Sequence, residues 1–203
     1  MAIAAQTKRV LSGAKTAGKE QLGGGLDVHG LPVYGSRRMK SLEPPDSHHL
    51  QAAQGWIGLG NYLEAKEELE RIDHRLHLHP DVLEVRWQIY AHAKEWAECV
   101  DVAEASIKLA PERFDGWIHR SFALHEMECT QQALGELLPA ADKFPKIWTI
   151  PYNLACYCAQ LGLLAESNDW LQKAMAIDAP AVRQAGIHDP DLKPLWDSMK
   201  GTI

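Results

Sequence analysis

The sequence predicts an all-α fold in which antiparallel helix pairs stack into a solenoid, and three observations carry that prediction. From about Asp46 onward glycine becomes scarce, while Leu, Ala, Trp, Glu and Lys recur at three- and four-residue steps, the spacing that gives a helix one apolar stripe. Short breaks near Gly60-Asn61, His77 to Asp81, Lys94-Glu95, Pro111, Cys129-Thr130, Pro145 and Gly162 cut this region into helices of about a dozen residues. The residues between the breaks repeat at thirty-four-residue steps, as from Ala65 to Cys99 to Ala133 to Ser167.

The repeat is legible column by column. Ala65, Cys99, Ala133 and Ser167 are all small, and Ile72, Ser106, Ala140 and Ala174 are small in three of four places. Two helices approach to about 8–10 Å only where the crossing carries little side chain, so these columns predict the contacts within each pair. Leu69, Ala103, Leu137 and Leu171, then Trp56, Tyr90, Leu124 and Cys158, then Tyr62, Trp96, Thr130 and Leu164, form columns of mostly larger apolar residues that fill the space beside the crossings. Pro111 and Pro145 stand one period apart, each just past a helix that it cannot continue. The aromatic residues Trp56, Tyr90, Trp117 and Trp170 are read as packing residues.

These residues resemble the tetratricopeptide repeat. The third unit matches best, with Trp117, Ser121, Leu124, Ala133, Leu137, Ala140 and Pro145 on the signature positions; the fourth supplies Leu154, Ala155, Gly162, Leu171 and Ala174, with Ser167 and Ala179 where alanine and proline are usual. The first contributes Gly60, Tyr62, Ala65 and Leu69, and the second departs most, with Trp87 at a small position and Lys94 at the glycine position. The resemblance implies a right-handed α-solenoid with four tandem repeats at 46–79, 80–113, 114–147 and 148–180, closed by a capping segment at 181–203. In that segment Asp191 is expected to be the N-cap of a last turn of helix, with Pro194 in its first turn and Leu192, Leu195 and Trp196 over the apolar end.

Ahead of the repeats, residues 1–45 carry Gly23-Gly24-Gly25 and Pro44-Pro45 and lack regular apolar spacing, so they read as a flexible tail. Lys8, Arg9, Lys15 and Lys19 precede the first acid, Glu20, a weak resemblance to an organelle transit peptide against which a flexible tail, or an upstream start-codon artefact, is the preferred reading. The four cysteines form no CxxC pair and no apolar run approaches the ~18 residues of a membrane span, which predicts a cytoplasmic protein. A net charge of −6 argues against nucleic acid and anionic membranes as partners, because both need a positive surface.

Function is expected on the first helix of each pair. The resemblance implies that these helices line a concave groove holding a peptide or helical segment of a partner protein, which gives a candidate surface of Glu84, Gln88, His92, Ile118, His119, Phe122, His125, Tyr152, Asn153 and Cys156, with Leu50, Gln51, Gln54 and Val85 at equivalent positions. Only Asn153 fits the clamp with which some members grip a terminal carboxylate. Asp81, Glu84, Asp115 and Glu126 lie near the same face, so a basic or amphipathic partner is expected. Neither metal nor cofactor is expected: His48, His49, His74, His77 and His79 lack zinc-ligand spacing, and no P-loop, GxSxG or HExxH is present. The reading is a non-enzymatic interaction scaffold; the alternatives are a dedicated chaperone resembling those of type III secretion translocators, or the regulatory subunit of an enzyme. The oligomeric state is left open.

Overall fold

A computed structural model describes residues 41–200, the side chain of Lys200 excepted. The flexible tail read from the sequence therefore lies, apart from its last residues, outside the described part. Every regular element among the described residues is helical: α1 (Asp46–Gly58), α2 (Tyr62–Glu70), α3 (Pro80–Ala93), α4 (Trp96–Leu109), α5 (Asp115–Glu126), α6 (Thr130–Lys143), α7 (Thr149–Gln160), α8 (Leu164–Gly186) and α9 (Lys193–Lys200), with 3₁₀ turns at His74–Leu76 and Pro190–Leu192. None of these helices is long and apolar enough to cross a membrane. Two compact units divide the chain, the first running through Ala123 and the second from Leu124.

The period is written into the backbone. Gly60, Lys94, Glu128 and Gly162, one in each pair, occupy the left-handed region with φ of 80°, 58°, 64° and 77°. Each ends a first helix and turns the chain into the second. Glycine reaches this conformation freely, whereas a Cβ there costs about 1 kcal/mol. Lys94→Gly and Glu128→Gly are accordingly expected to raise stability by roughly 0.5–1 kcal/mol each, read as higher urea midpoints. A fall in either midpoint would mean that the side chain contributes a contact that outweighs the strain.

A second recurring break closes the pairs. Ala110 (φ −138°, ψ 65°), Phe144 (φ −128°, ψ 62°) and Asp178 (φ −149°, ψ 84°) share one non-helical conformation at one-period intervals. At Asp178 this break appears as a kink inside α8, where the Asp178 carboxylate accepts the Ala181 N–H at 3.0 Å. Asp178 thus caps a new helical segment, and Pro180 sits in its first turn, where proline loses no hydrogen bond. The final helix expected around Ala181–Ala185 is this segment.

Burial follows the columns. Ala65, Cys99, Ala133 and Ser167 have no exposed surface, and Leu69, Ala103, Leu137 and Leu171 are buried beside them. In the first unit Leu50, Ala53, Ala65, Leu69, Ile72, Val82, Val85 and Ile89 form one core with Trp56 and Tyr62 against it. Leu50 and Val85, assigned to a groove by register, belong to this core. In the second unit α7 packs on both α6 and α8, and α9 returns onto α7 and α8. Every residue of α7 from Thr149 to Ala159 is buried, the polar Thr149 and Asn153 included, so this mostly apolar helix is enclosed on all sides. Leu192 and Leu195 are buried and Trp196 half-buried, so the C-terminal segment covers apolar surface as expected. Its cap is Asp189, however, and not Asp191: the Asp189 carboxylate accepts the Asp191 N–H at 3.0 Å and starts the 3₁₀ turn two residues earlier.

Candidate functional site

The candidate residues divide by unit, and the two sets have different surroundings. In the first unit Glu84, Gln88 and His92 follow one another at four-residue steps along α3 and so share one face. Gln88 Nε2 donates to Glu84 Oε1 at 2.7 Å, and Glu84 Oε2 stands 3.5 Å from His119 Nδ1 on α5. His119 is buried, its ring stacked on that of Trp87 with centroids 3.9 Å apart and planes 7° from parallel. Ile118 is buried as well, whereas Phe122 is half-buried, its ring meeting Trp87 edge-on at 6.2 Å and Trp96 at 5.9 Å. His92 is exposed and lies flat on Tyr62 at 3.4 Å. Phe122, Glu84, Gln88 and His92 are therefore the candidates of this unit that reach solvent; Ile118 is buried, and His119 stands behind Glu84. Gln51 and Gln54 on α1 are exposed.

Two of the acidic residues of this region, Asp81 and Asp115, are already engaged. Arg113 donates to Asp81 at 2.7 Å and to Asp115 at 3.1 Å, tying the first turns of α3 and α5 together. Burial works against the guanidinium charge, but the two carboxylates outweigh it and hold Arg113 charged. Each carboxylate also lies at a helix N-terminus, where the exposed N–H groups favour negative charge. The cavity among Pro80, Glu84, Ser106, Ala110, Arg113, Asp115 and Gly116 is about 10 Å³, room for a water molecule and nothing larger.

In the second unit Tyr152, Asn153 and Cys156 are buried, and His125 is half-buried. The Tyr152 hydroxyl donates to Asp189 Oδ2 at 2.5 Å, and the Cys156 thiol lies 4.0 Å from the same oxygen. His125 holds Thr130 through Nδ1 at 2.9 Å and faces Asp191 through Nε2 at 3.6 Å. Asn153 Nδ2 is a buried donor without a hydrogen-bond partner. The first-helix positions of the fourth pair are thus met by the chain's own C-terminal segment. Register identified the inward face of α7 but carried no signal for what covers it; the density of apolar residues from Ile150 to Ala159 does carry one.

Burial, followed by the charges of Glu98 and Glu95, pushes Cys99 up to about 12. Burial likewise raises the Cys156 and Cys158 thiols, so at neutral pH all three are protonated and poorly nucleophilic. His49 pairs with Glu68 at 2.8 Å, His77 with the Ile72 carbonyl at 2.9 Å, and His79 accepts from the Asp81 N–H at 3.2 Å. Among the described residues no three His, Cys, Asp or Glu side chains gather as a metal set.

No protein-family model matches the sequence, and no curated protein matches it. Solved structures do match the fold. TTC0263, a thermophilic TPR protein of Thermus thermophilus, superposes with a TM-score of 0.61 at 16% identity, over 77% of this chain and 89% of that one. A double mutant of MamA from RS-1 gives 0.59 at 15% identity over 80% and 98% of the two chains. YrrB, described as a TPR protein with an unusual peptide-binding site, gives 0.54 at 14% identity over 73% and 81%. At these identities the likeness speaks to fold, and it agrees with the left-handed turns, the small columns and the repeated breaks. In fold, then, the chain is similar to tetratricopeptide-repeat proteins, an all-α arrangement of antiparallel helix pairs followed by a C-terminal cap.

Proposed function

We propose that this protein is a non-enzymatic interaction scaffold that holds an amphipathic segment of a partner protein against the first helices of the second and third pairs. The observation that supports this reading is Phe122. Its ring is fixed edge-on between Trp87 and Trp96 yet keeps part of its surface open to solvent. A rigid aromatic that loses little freedom on contact is the kind of anchor that dominates binding energy. Beside it Glu84, Gln88 and His92 present polar groups at one-turn intervals. Glu84 is the only carboxylate among these four, so a partner segment bearing an apolar side chain for Phe122 and a basic one for Glu84 fits best. That YrrB is described as peptide-binding accords with this use of the fold.

Phe122→Ala is expected to weaken capture of the partner from a lysate of the native host at least tenfold, roughly 1.4 kcal/mol or more, with the helical circular dichroism unchanged. Undiminished capture by a folded Phe122→Ala variant would remove the α3–α5 face from consideration.

A further inference from the structure

The inward face of the fourth pair is filled, and the residues that fill it have a definite chemistry. Tyr152, Cys156 and Gln160 follow at four-residue steps on α7 and form one ridge. Across this ridge lies the turn Asp189–Leu192. Tyr152 donates to the Asp189 carboxylate at 2.5 Å, Gln160 Nε2 donates to the Asp191 carbonyl at 2.9 Å, and His125 faces the Asp191 carboxylate at 3.6 Å. Leu192 has no exposed surface and packs beside Gly186, where an added Cβ would meet it at 3.4 Å and the Tyr152 ring at 3.8 Å, ordinary contact distances. Pro190 in the first position of the turn fixes the backbone between the two acids.

An acid for a tyrosine hydroxyl, a carbonyl for an amide, a second acid for an imidazole and an apolar anchor are the contacts of a short peptide in a receptor. Here four consecutive residues supply all of them. We propose that the α7 ridge, with His125 and Gly186, is a recognition seat for an acidic, proline-bearing, leucine-anchored turn, that the isolated chain closes it with its own Asp189–Leu192, and that a partner enters it only by presenting a segment of the same chemistry. This rests on the reading of the fold as a scaffold but gives the fourth pair a partner chemistry unlike that of the α3–α5 face. The buried Asn153 amide offers one further donor on the same helix.

The test uses the full chain and a fluorescent peptide with the sequence of Ile187 to Lys200. Leu192→Glu expels the turn from its seat, and this variant is expected to bind the peptide at least tenfold more tightly than the unaltered chain does. A peptide carrying alanine in place of Asp189 and glutamate in place of Leu192 is expected not to bind. A folded Leu192→Glu chain that ignores the peptide, or an unaltered chain that binds it equally well, overturns the proposal. Should Leu192→Glu lose its helicity, Tyr152→Phe decides the matter: amide hydrogen exchange at Asp191 and Leu192 is expected to quicken at least tenfold, and unchanged exchange overturns it. Phe122→Ala leaves peptide uptake intact if the two faces are separate, so failure of one reading is distinguishable from failure of the other.

Discussion

Trp87→Ala is expected to destabilise the protein by about 3–5 kcal/mol, although alanine is the residue the repeat itself prescribes there. The equivalent positions hold Ala53, Ser121 and Ala155, all fully buried, and a reading from the period alone makes Trp87 an intruder whose removal relaxes the pair. The geometry gives the opposite sign. In the fourth pair the close approach of the helices is marked by Ser167, which donates to the Ala155 carbonyl at 2.8 Å. In the second pair the Cys99 thiol lies 3.8 Å from the Trp87 carbonyl, the equivalent contact, so the α3 and α4 backbones still meet at the small position. The indole does not wedge them apart; it extends toward α5, where it stacks on His119 and meets Phe122. With 1% of its surface exposed, its removal leaves a cavity that helices fixed at Cys99 close only in part. Trp87→Phe refines the expectation. It keeps most of the aromatic volume and removes a buried indole N–H that has no hydrogen-bond partner, so its cost is expected near ~1 kcal/mol. Guanidinium unfolding of the two variants checks this. Equal midpoints for Trp87→Ala and the unaltered chain would show that the pair collapses onto the small residue after all.

Trp87 also marks the boundary of what the sequence makes legible. The repeat is local: the left-handed residue at Gly60, Lys94, Glu128 and Gly162, the small residue that follows five positions later and the break at Ala110, Phe144 and Asp178 each depend on neighbours within one pair. Thirty-four-residue spacing therefore suffices to find them, even where lysine or glutamate replaces glycine. Which way a buried side chain leans is not local. His119 reads as a groove residue by register, yet its ring is stacked on Trp87, thirty-two positions earlier. Tyr152 reads the same way and is covered by Asp189, thirty-seven positions later. Register assigns a residue to a face of its own helix; whether that face stays open depends on a segment whose return path no period encodes. Of the candidate surface, Glu84, Gln88, His92 and Phe122 keep part of their surface exposed, whereas Tyr152 and Cys156 meet Asp189 of the C-terminal turn and Asn153 is buried.

The same turn supplies the second large effect. Asp189→Ala is expected to cost roughly 2–4 kcal/mol, because this one carboxylate accepts from both the Tyr152 hydroxyl and the Asp191 N–H, with the Cys156 thiol also against it. Without it the Tyr152 hydroxyl is left in a site with 1% exposure, a loss of about 1–3 kcal/mol, and the Asp191 N–H loses the cap that starts the 3₁₀ turn, about 1 kcal/mol more. Burial raises Tyr152 far above the ordinary phenol range, with the thiol of Cys156 and the carboxylate of Asp189 adding to it, so the hydroxyl remains a proton donor at every pH at which the fold persists. Tyr152→Phe removes only the donor and leaves Asp189 with the Asp191 N–H, for an expected cost of about 1–2 kcal/mol. If the two residues act through their mutual hydrogen bond, the double variant is less destabilised than the two single losses summed, by at least about 0.5 kcal/mol. Strict additivity in urea unfolding would separate the two residues and assign the loss at Asp189 to its cap alone. A shortfall from additivity would instead show that the C-terminal turn is held to α7 by a specific polar contact as well as by the burial of Leu192, which is the combination a selective seat requires.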